Sequence, residues 1–431
     1  MRYPYKEGLY ITEDSREVSG DTYFLQTAQN SKYIDSLDAD INIISTEELY
    51  REWGLEALKV VGITGTNGKT TTAAIIYSLL IDLGYGCGLQ GTRGFFLNDQ
   101  CIDEKSLTTP SILQTLFHMR KTLQSGTGYF VMEVSSHAID QNRIETIEFA
   151  LKVLTNVTQD HLDYHNTIAE YRATKSRFFT DNSLKLINKE EASKIVFNEH
   201  KAYTYALEEA ASFRVEAFSL EGGIKAAINY LGDIQSFESN LVGLFNVYNL
   251  AAAVASVKLI TDDSLEKICE EVVNFGGVSG RMQVISHTPL VIVDFAHTPD
   301  GMLKVLESIK DKDLVVLFGA GGDRDRDKRP KMGLIAAKFA KKIYITSDNP
   351  RSEDPAKIIE EVSAPLTGKE GILKIVDRKE AINAAVKELK SSEALLILGK
   401  GDETYIEIQG EKIPFDDREV AKEALTANGF I

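Results

Sequence analysis

Cysteine is scarce in this chain: three residues in 431, Cys87, Cys101 and Cys269. They are too few and too scattered for a disulfide framework or a zinc site. They are expected to be small buried hydrophobes in a reducing compartment. Long apolar runs are missing too. None reaches the ~18 residues of a membrane-spanning helix, and the opening M-R-Y-P-Y-K-E-G has no apolar export segment. A basic excess is also absent, since the formal net charge is −16 at pH 7. Such a surface repels phosphate backbones and excludes a general nucleic-acid binder. Anionic substrates must therefore be met by local clusters of Lys and Arg. Together these absences describe a soluble cytoplasmic protein with no membrane or nucleic-acid partner.

What is present is ordinary globular material, 43% hydrophobic and 26% charged. At roughly 150 residues per domain this length suggests about three domains. The most informative stretch is residues 60–72, V-V-G-I-T-G-T-N-G-K-T-T-T. An apolar run over 58–63 enters a Gly-rich turn, and a helix is expected from Lys69 to about Leu83, stopping at Gly84. Strand, glycine loop, Lys-Thr and helix in that order make a nucleotide-phosphate cradle. Glycines let backbone N–H groups close on phosphate oxygens, Lys69 supplies a point charge, and Thr70 supplies a hydroxyl for Mg²⁺. The loop is a variant: the strict pattern wants Gly where Ile63 stands, and Gly62 comes one place early. Gly65 and Gly68 remain.

Buried-strand runs at 129–134 and 151–157 alternate with helices, which suggests a mainly parallel sheet. The first ends in Glu133-Val134-Ser135-Ser136-His137 and the second in Thr155-Asn156-Val157-Thr158-Gln159-Asp160-His161. Carboxylate and imidazole thus arrive at strand C-termini, the edge on which open α/β sheets bind ligands. Residues 167–179 read as a helix with Ile168, Tyr171, Phe178 and Phe179 on one stripe, and Lys175 falls on that stripe. Two readings fit Lys175: a lysine snorkelling along an apolar face, or a desolvated amine that is partly neutral and reactive. Residues 241–260 read as a Gly-turn followed by an Ala-rich buried helix, with Asn246 and Asn249 as a cap and a packing polar group. A glycine hinge at 276–280 opens the last part. There, strands at 290–293, 314–318, 342–346, 372–376 and 394–398 alternate with helices in a doubly wound pattern. Their C-termini lead into Asp294, Gly321-Gly322-Asp323-Arg324, Asp348-Asn349-Pro350-Arg351 and Gly399-Lys400-Gly401-Asp402-Glu403. No dinucleotide fingerprint follows the first of these strands. The charge run 323–331 reads either as a solvated loop or, after two glycines and a buried strand, as a phosphate or carboxylate binder.

These motifs together resemble the Mur ligase family, ATP-dependent amide-bond-forming enzymes of peptidoglycan precursor synthesis. The resemblance spans the chain: T-G-T-N-G-K-T-T, E-V-S-S-H-A, D-H-L-D-Y-H, Y-R-A-T-K, G-L-F-N-V-Y-N, G-R-M, D-F-A-H-T-P-D, G-G-D-R-D-R-D-K-R-P-K-M-G and D-N-P-R. It implies an α/β chain of three domains. Residues 1–57 would be a small N-terminal α/β cap that docks the UDP-substrate. Residues 58–277 would be a central ATP-binding domain with a P-loop ATPase-type, mainly parallel sheet, and 278–431 a Rossmann-like amino-acid-binding domain. D-N-P-R is similar to the signature of members that add meso-2,6-diaminopimelate to UDP-N-acetylmuramoyl-L-alanyl-D-glutamate.

The resemblance also implies roles. Gly65, Thr66, Asn67, Gly68, Lys69, Thr70 and Thr71 would wrap the ATP phosphates, with Asn246, Arg281 and Asp294 near the nucleotide. Thr70, Glu133 and His161 would hold Mg²⁺ directly or through water. Lys175 would carry a CO₂-derived carbamate that positions a second Mg²⁺. Ser15, Thr108, Thr109, Ser135, Gln141 and Arg143 would contact the UDP-muramoyl-dipeptide. Arg324, Asp348, Asn349, Pro350, Arg351, Gly399 and Glu403 would hold the incoming amino acid. An acyl phosphate on the D-glutamate side chain would be the intermediate, and the working form is expected to be a monomer. Diaminopimelate carries a distal carboxylate that lysine lacks, and an arginine fork such as Arg351 can grip it bidentately. Glu403 offers the opposite charge for the distal ammonium. The alternatives are the lysine-adding ligase of the same family, a related ligase such as folylpolyglutamate synthetase and, from another class, a P-loop conformational switch driven by ATP. Two positions depart from the family pattern: Asp402 replaces a histidine near the end, and Phe295 stands where a tyrosine is common.

Overall fold

The computed structural model describes residues 1–37, 40–98, 100–104 and 107–431. The chain divides into two compact units. One comprises Met1–Ser219, Lys225–Ser239 and Val247–Phe275, the other Leu220–Ile224, Asn240–Asn246 and Gly276–Ile431.

The first unit carries two sheets. The N-terminal sheet runs Tyr3–Pro4, Tyr10–Thr12, Thr22–Gln26, Ile43–Ser45, with the first pair antiparallel and the next two pairs parallel. Its Ile11, Leu25 and Ile44 are buried in one hydrophobic cluster with Trp53, at the end of the helix Thr46–Glu52, and with Leu113 and Phe130 of the larger layer. The larger sheet has a parallel heart in the spatial order Cys87–Gly91, Tyr129–Glu133, Lys59–Thr64, Phe149–Leu154, Lys185–Asn188, Ala202–Ala206. Strands covered on both faces read as continuous apolar runs, and Val60, Val61, Ile63, Phe130, Val131, Met132, Leu151, Val153 and Leu154 are all buried. Lys59–Thr64 lies between strands reached by opposite crossovers, so its C-terminal edge is the switch point where ligands bind in such sheets. The register pairs Ile63 with Glu133 and Thr64 with Leu154, which brings three strand ends to that edge.

The sheet's flanks escaped the sequence pattern. Gly94–Leu97 and Gln100–Glu104 form an antiparallel meander on one side; Phe213–Ser219, Ile224–Tyr230 and Asp233–Ser239 extend the other. None of them is a continuous buried run: Ile224–Tyr230 alternates buried with more exposed residues, and Gln100–Glu104 has no fully buried residue. Cys87 and Cys269 are buried as expected, but Cys101 is exposed, because it sits on this half-covered flank.

The second unit is built on Gln283–His287, Leu290–Asp294, Glu393–Leu398, Asp313–Phe318, Ala340–Ile345 and Ile372–Lys374 in that spatial order. The first pair is antiparallel and the rest are parallel. Alternate side chains feed two cores, one containing Ile292, Val316, Phe318 and Leu396, the other Val291, Val293, Leu317 and Ile397. Helices therefore cover both faces, as a doubly wound sheet requires. The strand-end register of Asp294, Leu398 and Phe318 sets the loops that follow side by side.

Candidate functional site

In the first unit, Lys59–Thr64 gives way to Gly65–Gly68, and the helix Lys69–Asp82 begins at once. The loop is held by its neighbour. Asn67 donates its N–H to Asn156 Oδ1 at 2.9 Å, and its carbonyl accepts from Asn156 Nδ2 at 2.9 Å and Thr155 Oγ1 at 2.6 Å. Thr66 accepts from the Thr158 N–H at 2.9 Å and meets the Tyr171 hydroxyl at 3.0 Å. No side chain would fit at the two glycines. A Cβ on Gly65 would lie 1.9 Å from Thr155 Oγ1; one on Gly68, at φ +84, would lie 2.5 Å from Asn249 Oδ1. Asn249 also accepts from Thr72 Oγ1 at 3.3 Å, the packing role expected of it.

Lys69 Nζ folds back on the Gly65 carbonyl at 2.8 Å and the Thr66 carbonyl at 3.0 Å. Lys175 Nζ reaches the same Gly65 carbonyl at 3.0 Å and Thr64 Oγ1 at 3.2 Å, and sits 4.9 Å from the centre of the Tyr171 ring. Its helix, Ile168–Arg177, is capped by Thr167, whose side chain accepts the Glu170 N–H. Lys175 is 1% exposed. Burial, then the positive charge of Lys69, push its amine well below the usual lysine range, with Asp160 opposing. The snorkelling alternative fails here, because a snorkelling lysine keeps its ammonium in water.

Glu133 ends its strand 2% exposed. Its carboxylate accepts from Thr70 Oγ1 at 2.8 Å, the Thr92 N–H at 2.8 Å and Thr92 Oγ1 at 3.2 Å. A hydroxyl and a carboxylate at a helix N-terminus form the oxygen donor set that suits Mg²⁺. His161 comes from the loop that follows Phe149–Leu154. It is exposed, takes a left-handed backbone at φ 52, and packs edge-on to His137 with centroids 4.9 Å apart.

Of the residues expected to meet the UDP-substrate, Thr108, Thr109, Ser135, Gln141 and Arg143 are joined by hydrogen bonds. Thr108 Oγ1 meets Thr92 Oγ1 at 3.1 Å, and Thr109 Oγ1 donates to the Glu133 carbonyl at 2.9 Å and accepts the Ser135 N–H at 2.9 Å. Arg143 donates to the Thr109 carbonyl at 2.9 Å and to Gln141 Oε1, and Gln29 Nε2 reaches the Gln141 carbonyl at 3.1 Å. Ser15 opens the short helical turn Ser15–Glu17 beside Glu13. Glu13 is pushed up by burial and pulled back by Ser111, the Leu113 N–H and Arg143.

In the second unit, Asp294 is buried and pushed up by that burial, with Arg281 and the Met282 and Ala296 N–H groups opposing. Arg281 lies over the Phe295 ring, 4.2 Å from its centre. Asn246 donates to the Val242 carbonyl at 2.8 Å. Asn349 Nδ2 donates to Glu403 Oε2 at 2.8 Å, and the Asn349 N–H donates to Asp348 Oδ1 at 2.7 Å. A Cβ on Gly399 would strike Asp348 Oδ2 at 2.5 Å, and one on Gly322 would strike the Pro350 carbonyl at 1.9 Å. Arg351, at φ +51, donates from Nη1 to the Gly322 carbonyl at 2.7 Å and faces Glu407 from Nε at 3.3 Å. Arg324 is exposed beside Gly321. Thr70 thus meets Glu133, Thr109 meets Ser135 and Arg143, and Asn349 meets Asp348 and Glu403, while His161 packs on His137 and Asn246 bonds Val242.

Three residues that take part carry no signal of it in the sequence or were passed over there. Thr92 and Asn156 are common polar types in a loop and at a strand end, with no spacing signal. Lys400 is fully buried on Asn349 Oδ1 at 3.1 Å and Glu403 Oε2 at 3.0 Å. In the run 323–331, Arg329 is buried in a double ion pair with Glu353 and Glu361 at 2.7 Å each, and Arg326 also pairs with Glu361. Arg329 and Arg326 thus hold the loop through their carboxylate partners, and Arg324 and Arg326 are both exposed.

A model of the Mur ligase middle domain matches residues 63–257, and one of the Mur ligase glutamate ligase domain matches 280–401. The chain is 50% identical over 419 residues to the UDP-N-acetylmuramoyl-L-alanyl-D-glutamate--2,6-diaminopimelate ligase of Wolinella succinogenes, covering 96% of each. A solved structure of a ligase of that name superposes with a TM-score of 0.69 at 30% identity, over 97% of this chain and 94% of the other. A Mycobacterium tuberculosis folylpolyglutamate synthase complexed with ADP and AMPPCP shares the fold, with a TM-score of 0.68 at 16% identity over 89% of this chain and 94% of the other.

Proposed function

This chain belongs to the Mur ligase family, and on that premise we propose that it adds meso-2,6-diaminopimelate to the D-glutamate of UDP-N-acetylmuramoyl-L-alanyl-D-glutamate at the expense of ATP. The observation that carries the reading is the meeting of Lys69 and Lys175 on one carbonyl of a glycine loop whose helix presents Thr70 to Glu133.

The loop N–H groups and Lys69 would grip the triphosphate, turning from the Gly65 and Thr66 carbonyls to the phosphate oxygens. Thr70 and Glu133 would hold Mg²⁺, with His161 reaching it through water; the ion supplies charge neutralisation for phosphoryl transfer. Lys175 has a buried amine held well below the usual lysine range, which favours the neutral form. That form would capture CO₂ and lose a proton to become a carbamate anion, and that anion would hold a second Mg²⁺. Ser15, Thr108, Thr109, Ser135, Gln141 and Arg143 would orient the UDP-substrate, with the N-terminal sheet as its docking domain. Asn246, Arg281 and Asp294 would complete the nucleotide contacts.

Lys69 would steady the γ-phosphoryl group as it passes to the D-glutamate side-chain carboxylate and ADP leaves. Arg351 would take the distal carboxylate of diaminopimelate and Glu403 its distal ammonium, with Arg324, Asp348, Asn349, Pro350 and Gly399 shaping that site. The other amine would then attack the acyl phosphate, lose a proton and expel phosphate. A monomer in the cytoplasm is the expected setting, and among the described residues no helix is long and apolar enough to cross a membrane.

The test is phosphate release from ATP with the UDP-muramoyl-dipeptide and diaminopimelate supplied singly and together. Release that requires both amino acid and dipeptide is expected. Hydrolysis indifferent to either would identify an ATP-driven switch, and a preference for lysine would identify the lysine-adding activity.

A further inference from the structure

Beside the D-N-P-R loop the second unit gathers charges of both signs. Lys400 has no exposed surface. Its ammonium is held by Glu403 Oε2 at 3.0 Å and Asn349 Oδ1 at 3.1 Å. The same Glu403 oxygen also accepts from Asn349 Nδ2 at 2.8 Å, so it already has two donors. The hairpin Tyr405–Ile408 with Glu411–Pro414 straps the loop from the other side. There the Glu407 N–H donates to Asn349 Oδ1 at 2.9 Å, and its carbonyl accepts the Arg351 N–H at 3.0 Å. The Glu407 carboxylate lies 3.3 Å from Arg351 Nε. Asp348 is buried next to Gly399, Arg324 is exposed next to Gly321, and Arg378 is fully paired with Asp417. The cations Arg324, Arg351 and Lys400 thus stand among the anions Asp323, Asp348, Glu403 and Glu407, Asp323 accepting from Ser352 beside Arg351.

We propose that Lys400 is a specificity-determining residue of the amino-acid site: by neutralising Glu403 in advance, it makes the site select a zwitterionic head over a bare ammonium. This rests on the assignment of Arg351 and Glu403 to the distal end of the amino acid. A lone ammonium gains little from a Glu403 oxygen already bonded to Lys400 and Asn349, so lysine is poorly held there. A head that also carries a carboxylate gains the Arg351 fork. With Lys400 gone, Glu403 becomes an uncompensated, largely buried anion, and a bare ammonium becomes its natural partner. Glu407 acts in the opposite sense, because its charge weakens the hold of Arg351 on an incoming carboxylate. This division of labour is one of charge balance and repulsion as much as of direct contact.

The experiment compares kcat/KM for diaminopimelate with kcat/KM for lysine in the full chain, its Lys400→Met variant and its Glu407→Gln variant. The ratio of the two constants cancels any difference in the fraction of folded enzyme. Lys400→Met is expected to lower the diaminopimelate-to-lysine ratio by roughly tenfold or more, and Glu407→Gln to raise it. A Lys400→Met ratio within twofold of the unmodified chain would overturn the inference. Should that variant not fold, the part-exposed Glu407→Gln decides, and an unchanged or lowered ratio there also overturns it. If the unmodified chain shows no diaminopimelate-dependent turnover at all, the proposed function fails instead, and the two failures are told apart.

Discussion

Lys69 and Lys175 donate to one carbonyl oxygen, that of Gly65, at 2.8 and 3.0 Å. Two ammonium groups sharing an acceptor repel each other, and the buried member gives up its proton first. Burial and the charge of Lys69 both push the Lys175 amine well below the usual lysine range, as the proposed capture of CO₂ would require.

Replacing Lys175 by Ala is expected to lower kcat by roughly a hundredfold or more, the scale of losing one preorganised electrostatic group. A short carboxylic acid supplied in the buffer should restore part of the rate by filling the carbamate's place. Undiminished activity in the variant would remove Lys175 from the site.

Arg351→Ala should raise the KM for diaminopimelate by about tenfold to a hundredfold, since a hydrogen bond to a charged group contributes about 1.5–3 kcal/mol. The KM for ATP should stay within a few-fold. Equal effects on both would deny Arg351 a part in recognising the amino acid.

His118 is buried against the Phe95 ring, with Gln90 on one ring nitrogen at 2.7 Å and Asp103 on the other at 2.8 Å. Burial first of all pushes its pKa down to about 4 from 6.5, against the pull of Asp103. A group whose folded pKa is depressed contributes full stability above the unfolded value and loses it as pH falls toward the folded one. Between pH 6.5 and pH 4 the chain should thus lose on the order of 3 kcal/mol through this group. Urea denaturation across that window should show a shallower acid loss in His118→Gln than in the unmodified chain; parallel curves would refute the assignment.

Arg378 and Asp417 form a fully buried bidentate pair at 2.7 Å for each bond. Arg378 also donates to the Ser347 carbonyl at 3.1 Å and the Leu398 carbonyl at 3.0 Å, fixing the strand ends that carry Asp348 and Gly399. Asp417→Ala leaves a buried cation unpaired and should cost about 3–5 kcal/mol, a Tm fall of roughly 10 °C. Removing both charges with apolar residues of similar volume should cost less than Asp417→Ala alone. A single variant as stable as the parent would contradict the pairing.

Much of the fold and of the site is legible in the sequence, and the reason is physical. Strands buried on both faces leave continuous apolar runs such as those around Val60, Phe130 and Leu395, and glycines mark turns that only they can make. The flanking strands from Phe213 to Ser239 are covered on one face only, so their pattern merges with that of loops. Lys400 stands in plain view in G-K-G-D-E, yet nothing in one sequence tells a buried lysine from a solvated one. The arginines of 323–331 mislead for the converse reason: Glu353 and Glu361, which neutralise two of them, lie some thirty residues downstream. Pairing at that separation is a property of the folded chain.

The carboxamide of Asn156 grips both the N–H and the carbonyl of Asn67, as a neighbouring strand would grip a residue of its ladder. The glycine loop is consequently stiffened by the same sheet that bears it, and little disorder remains to be surrendered when an anion arrives. In this molecule the order of the loop is part of the fold itself.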